Sequence, residues 1–210
     1  MKRKEGRIAR QNRWFFDLWA EHYDFLPFQF WMRKFHLPVL KELSSLPKQN
    51  KKIRILDLSC GSGELLREIK KIKQRAVELY GIDASSKMID VAKKKLSPAI
   101  QLNVMDVHRL NFPKDYFDYV ISTEAFHHYY GQKKALSEMK RVCRKGGKVM
   151  VVDINFFFNA VHRIFEMFEP GCVRVNNKKE MRELFQKAGL KRIRQQRGFL
   201  FSMITTGIKY

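Results

Sequence analysis

From Ile53 onward, short apolar runs of strand length alternate with stripes of apolar residues at helical spacing. Ile53–Leu58, Val77–Ile82, Ile100–Met105, Phe117–Ser122 and Lys148–Asp153 read as strands. Between them Leu65, Leu66, Ile69 and Ile72, then Met88, Ile89, Ala92 and Leu96, then Ala135, Leu136, Met139 and Val142 recur as one helix face does. The last of these helices is expected to stop at Gly146-Gly147. A further helix through Met181, Leu184, Phe185 and Ala188 stops at Gly189. Two late strands, Leu190–Gln196 and Phe199–Ile208, flank Arg197-Gly198. This repetition predicts βαβ units, a mostly parallel sheet and helices on both faces. The tight link between the late strands allows an antiparallel pair. A ligand then belongs beyond the carboxyl ends of the strands, just after Leu58, Ile82, Met105, Ser122 and Asp153.

At 210 residues the chain is about one domain, read as 51–210 behind a segment 1–50. Met1–Arg13 reads as a flexible basic arm. Asn12–Leu46 is rich in aromatics, with Phe15, Leu18, Trp19 and Tyr23 at helical spacing up to a break at Pro27. Trp31, Phe35, Val39, Leu40 and Leu43 suggest a second helix, bent near Pro38, and Lys48–Lys52 a polar connector. No apolar run reaches the ~18 residues of a membrane span, and the basic start lacks the apolar stretch of a secretory signal. Cys60, Cys143 and Cys172 are widely spaced with no C-x-x-C, which argues against a disulfide scaffold or a structural zinc and for a reducing, cytoplasmic setting.

The expected ligand positions hold suggestive residues. Asp57-Leu58-Ser59-Cys60-Gly61-Ser62-Gly63 leads from the first strand into a helix, with glycines that permit a tight turn and close approach of a ligand. Asp83 ends the second strand, where a carboxylate can accept from ribose hydroxyls; Asp106 follows the third and can accept from an adenine amino group. A nicotinamide dinucleotide would need G-x-G-x-x-G, but Leu66 holds the third glycine position, and Glu64 would repel a pyrophosphate. S-adenosylmethionine carries no phosphate and escapes that objection.

With these residues the chain resembles the class I S-adenosylmethionine-dependent methyltransferases, and within them the small group related to the ubiquinone/menaquinone C-methyltransferases. Phe16–Asp24 resembles the helix that precedes the core in that group, and Leu56–Gly63 its glycine motif, with Ser59 where the first glycine usually stands. Tyr80–Ser85 is similar to the ribose-binding strand end, and Ala84 falls within it. Met88 matches the adenine-packing position, and Asp106-Val107 the segment flanking adenine. Arg141–Gly147 matches an R-V-L-K-P-G-G turn, with Lys145 in place of proline. The resemblance implies a doubly wound, Rossmann-like α/β fold. Its seven-stranded sheet would have an antiparallel last strand. Excluding water from methyl transfer would give the aromatic N-terminal helices the part of a lid, or else they complete the core. The resemblance also implies S-adenosylmethionine as cofactor and S-adenosylhomocysteine as product. The loop from Ser122 and Thr123 through Glu124, Phe126, His127 and His128 would lie beside the transferable methyl. A histidine there, His127 or His128, can take a proton from the acceptor; packing or capping is its alternative role. Tyr23 closes over the cofactor or completes the core.

Lys plus Arg exceed Asp plus Glu by 42 to 21, so the net charge is +21. Such a field attracts RNA, an anionic membrane surface or an acidic substrate, unless it is only a solvated surface. Phe156-Phe157-Phe158 and the aromatic N-terminal segment suggest an apolar pocket for a small-molecule or lipid-like acceptor, with Lys93-Lys94-Lys95 near anionic lipid. The alternative is a tRNA or rRNA methyltransferase that uses Lys2-Arg3-Lys4, Arg7, Arg10, Arg13, Lys191, Arg192, Arg194 and Arg197 on phosphates. A non-catalytic S-adenosylmethionine binder is a third reading.

Overall fold

The computed structural model describes residues 2–23, 30, 33–45, 52–72 and 76–210. Helix α1 runs Lys2–Trp19, and a 3-10 turn at Arg33–His36 leads into α2, Leu37–Ser44. Then follow β1 Ile53–Leu58, α3 Glu64–Lys70, β2 Val77–Asp83, α4 Ser86–Lys95, β3 Gln101–Val104 and β4 Phe117–Thr123. A second 3-10 turn, Phe126–His128, precedes α5 Gln132–Val142, β5 Cys143–Ile154, α6 Asn159–Phe168, α7 Lys178–Lys187, β6 Lys191–Arg197 and β7 Ser202–Ile208. The sheet has seven strands in the order β3-β2-β1-β4-β5-β7-β6. Strands β1 to β5 pair in parallel, and β7 runs antiparallel to both β5 and β6.

Alternation along the central strands feeds a core on each face. On one side Ile53 and Ile55 of β1 and Met150 and Val152 of β5 meet Leu65, Leu66 and Ile69 of α3 and Val39 and Leu43 of α2. On the other, Leu56 and Leu58 with Val149 and Val151 meet Ala135, Leu136 and Met139 of α5 and Phe185 of α7. The outer strand β6 is polar and largely exposed; its Lys and Arg guard the sheet edge against further pairing.

Several expectations change. The basic segment expected to be a flexible arm is helical from Lys2 onward and continuous with Phe15, Leu18 and Trp19, whereas Tyr23, expected on the same helix, lies beyond its end at Trp19. Pro38 bends nothing: it lies in the first turn of α2, where a missing N–H is tolerated. Helix α5 ends at Val142, before Gly146-Gly147, which lie inside the long β5 at a register shift against β4. A Cβ on Gly147 would stand 2.8 Å from Cys143 Sγ and 2.9 Å from the Asp118 carbonyl, so that glycine serves close strand packing. Residues 199–201 belong to the β6–β7 turn, and α6 is an element the apolar periodicity did not reveal. The expected break at Pro27 and most of the connector at 48–52 lie outside the described residues. No helix among the described residues is long and apolar enough to cross a membrane.

Candidate active site

One cleft opens at the carboxyl ends of β1, β2 and β4, where the parallel topology predicts it. The turn after β1 begins with Ser59 at φ 55° and continues through Gly61 at φ 52° to Gly63 at φ 85°, the N-cap of α3. Ser59 therefore adopts the left-handed conformation that glycine takes without strain. The two glycines differ in purpose. A Cβ at Gly61 would meet no protein atom within 4 Å and would project into open space, whereas one at Gly63 would strike Leu96 Cδ1 at 2.5 Å.

Asp83 fixes this turn from the end of β2. Its Oδ2 accepts from Gly61 N at 2.9 Å and its Oδ1 from Ser85 N at 2.9 Å. Burial raises the carboxyl above its ordinary value, although backbone donors at Ser85, Gly61 and Ala84 oppose the shift. Asp106 is held differently. Its Oδ1 accepts from the His108 backbone at 2.9 Å and from His108 Nδ1 at 2.6 Å, and its Oδ2 from the Tyr130 hydroxyl at 2.8 Å. Because Gly131 N donates to His108 Nε2, the imidazole carries its proton on Nδ1. Burial pushes the Asp106 carboxyl up, but these hydrogen bonds outweigh it and bring the pKa to about 2.

Asp57 and Glu124 form the acidic floor. Asp57 is raised well above the usual carboxylate range, first by burial and then by Asp83. Glu124 follows β4 at φ 55° and is also raised well above its range, by burial first and then by Asp153, Asp57 and Glu68. Asp57 Oδ1 and Glu124 Oε1 are buried with no hydrogen-bond partner. Beside Glu124 stands His36, whose Nδ1 meets Glu68 at 2.6 Å and whose Nε2 lies 4.0 Å from Glu124.

The predicted residues Tyr23, Asp57, Ser59, Cys60, Gly61, Asp83, Ala84, Met88, Asp106, Val107, Thr123 and His128 all line the cleft. Gly63 does not, because its place is in the α3 cap. Ser122 is fully buried behind the wall, its Oγ 3.0 Å from the Tyr129 hydroxyl, which also meets Ser59 at 3.1 Å. His127 likewise faces the interior, with Nδ1 on Asp153 at 2.6 Å. Burial lowers its pKa, but Asp153 outweighs this and raises it. His128 touches the cleft, yet burial and its neighbour His127 depress its pKa to about 3. Ligand atoms of His127, His128 and Glu169 lie within 4.8 Å of one another, a group the sequence spacing did not disclose. The expected apolar pocket at Phe156–Phe158 does not form: Phe157 and Phe158 are 71% and 72% exposed, and Phe156 packs against the core.

Helix α1 covers the cleft, and sequence reasoning missed how it is pinned. Ala9, Asn12, Arg13 and Phe16 form its inner face. Asp17 accepts from Ser85 Oγ at one end. Asn12 Nδ2 donates to the carbonyls of His128 and Gly171, both at 3.1 Å, and Phe16 packs edge-on against His128. The segment below adenine's expected place is also tied down: Arg141 donates to the carbonyls of Phe112 and Leu110 and pairs with Glu138.

The sequence of residues 56–151 matches the family described as methyltransferase domain. A demethylmenaquinone methyltransferase of Thermotoga maritima is 31% identical over 101 residues, 48% of this chain and 43% of that protein. The matches span less than half the length of such curated relatives. A chain of the complex between the Haloferax volcanii Trm112 methyltransferase activator and a methyltransferase superposes with a TM-score of 0.76 at 22% identity, over 92% of this chain and 96% of that one. Phosphoethanolamine N-methyltransferase 2 of Haemonchus contortus, solved with phosphomonomethylethanolamine and S-adenosylhomocysteine, superposes with a TM-score of 0.63 at 22% identity, over 77% of this chain and 38% of that one. Residues 56–151 thus match a methyltransferase domain, and they lie in a seven-stranded, Rossmann-like sheet whose fold these solved structures share.

Proposed function

We propose that this protein transfers the methyl group of S-adenosylmethionine to a small-molecule or lipid-like acceptor. The observation that carries the reading is a reversal of sign. In a chain of net charge +21, the cleft is lined by Asp57, Glu64, Asp83, Asp106 and Glu124 against Arg13 and Arg33. Such a site suits a ligand with sulfonium and ammonium charges and repels phosphates. The orphaned carboxylate oxygens of Asp57 and Glu124 supply the acceptors that such a cation needs.

Asp83, already aligned by Gly61 and Ser85, suits ribose hydroxyls; Met88 and Val107 suit the faces of adenine, and Asp106 its amino edge. Asp57 with the Ser59–Gly61 turn suits the amino-acid end. When bound, the cofactor supplies a methyl group already activated by its sulfonium. The protein's part is to orient the acceptor and exclude water, for which α1 is the cover. Where the acceptor must lose a proton, Glu124 is the better base. Its carboxyl lines the cleft, whereas the His128 imidazole is held far below its ordinary range and His127 does not face the cleft.

The test incubates the protein and Asp83→Ala with methyl-labelled S-adenosylmethionine and cell extract, then separates organic, small aqueous and nucleic-acid fractions. Label in the organic or small-molecule fraction, lost in Asp83→Ala, supports the proposal. Label confined to nucleic acid overturns the acceptor class.

A further inference from the structure

Helix α6 is turned inside out. Of its ten residues only His162 is buried. The stripe Val161, Ile164 and Phe168, with Met167 beside it, faces solvent, and Ile164, Met167 and Phe168 are 55%, 77% and 78% exposed. An amphipathic helix ordinarily shows solvent its polar face. Here the charged side chains Arg163 and Glu166 neutralise each other at 2.8 Å. Phe157 and Phe158 extend the patch before the helix, and Leu200 of the β6–β7 turn lies exposed at the same end of the sheet. An apolar surface spread over two segments marks an interaction site.

Cations accompany it. The Arg197 guanidinium lies 3.9 Å from the Phe157 ring centroid, and Lys34 Nζ lies 4.5 Å from that of Phe199 and 5.2 Å from that of Phe30. The inner side of α6 backs onto the active-site wall, where Phe165 packs against His127. The Gly171 carbonyl just beyond the helix receives Asn12 of the cover helix.

We propose that α6 and the β6–β7 turn dock on an anionic lipid bilayer, with α6 lying in the interface. Aliphatic Ile164 and Met167 suit acyl chains, whereas nucleic acid would cover charge and ring faces and leave them in water. A second copy would bring +21 against +21. Flanking Lys and Arg draw the face to anionic headgroups, while the apolar stripe supplies area that persists once charge is screened. The site's cover and the docking face share the Gly171 junction, so an acceptor dissolved in the bilayer would meet the cleft beside its cover; that corollary rests on the methyltransferase reading, while docking itself does not.

The experiment is co-sedimentation of the full chain, without cofactor, on vesicles of phosphatidylcholine alone or with phosphatidylglycerol. Binding should be at least tenfold tighter to the anionic vesicles. The double variants Ile164→Asp/Phe168→Asp and Phe157→Ser/Met167→Ser should each lose at least tenfold. Calorimetric S-adenosylmethionine affinity and melting temperature, unchanged in the same variants, separate a docking defect from misfolding or a damaged active site. Equal binding by wild type and both variants would make the attraction purely electrostatic and overturn the docking face. Absence of vesicle binding would overturn it too. So would a concentration-dependent dimer that the same substitutions abolish when no vesicle binding is seen.

Discussion

Glu124 concentrates the tension in this site. It holds a left-handed backbone, lies buried among Asp153, Asp57 and Glu68, and keeps one oxygen unpartnered. Its folded pKa is raised above the unfolded value. Its favourable contribution is therefore fully present below the unfolded pKa and disappears as pH rises through the folded pKa. Glu124→Gln removes that loss, so denaturant unfolding should find the variant more stable by about 1 kcal/mol at pH 8 and little changed at pH 4. A variant no more stable at pH 8 would show the group to be well solvated. Gly61 gives a second test. Its φ of 52° costs an alanine roughly 1–2 kcal/mol, and the added Cβ meets only open cleft. Gly61→Ala should fold, with melting temperature a few degrees lower, yet bind S-adenosylmethionine at least tenfold more weakly by calorimetry. Equal affinity would move the ligand away from the turn.

At the scale of elements, α1 is a strap fastened at two points in its C-terminal half, by Asp17 to Ser85 and by Asn12 to the loops at His128 and Gly171. Asn12→Ala removes two hydrogen bonds of about 1 kcal/mol each. Stopped-flow release of S-adenosylmethionine should accelerate roughly five- to thirty-fold, and tryptic cleavage at Arg10 and Arg13 should lose the protection that ligand confers. Unaltered release would make α1 part of the core and not a cover. The strands and the helices between them were legible because apolar periodicity encodes which face is buried, and Asp83 and Asp106 because topology places strand ends at the cleft. What stayed hidden has physical reasons. Helix α6 exposes its apolar face, so its pattern does not report burial. His127 and Ser122 stand in the expected loop, but the 3-10 turn at Phe126–His128 and the alternation of β4 aim their side chains inward. The hydrogen bonds of Asn12 reach residues more than a hundred positions away, which no local pattern records.

Over the whole molecule, whose net charge is +21, two fields of opposite sign are superposed: a basic exterior and an acidic cleft. They respond differently to salt. The exterior acts over distances comparable to the ~10 Å screening length at 0.1 M, so added salt erases it, while partly buried carboxylates near a bound ligand are screened much less. S-adenosylmethionine carries net positive charge; on the proposed reading it is repelled at long range by the exterior but held at short range by Asp57 and Glu124. Raising salt from about 0.02 to 0.3 M should therefore leave its calorimetric affinity unchanged or improve it by about two- to threefold. S-adenosylhomocysteine, without the sulfonium charge, should respond less. Affinity for anionic vesicles should fall over the same range, because there the exterior field is the attraction. A loss of S-adenosylmethionine affinity as steep as that for vesicles would mean that long-range attraction, and not the buried carboxylates, holds the cofactor, and the acidic cleft would lose its place in the argument.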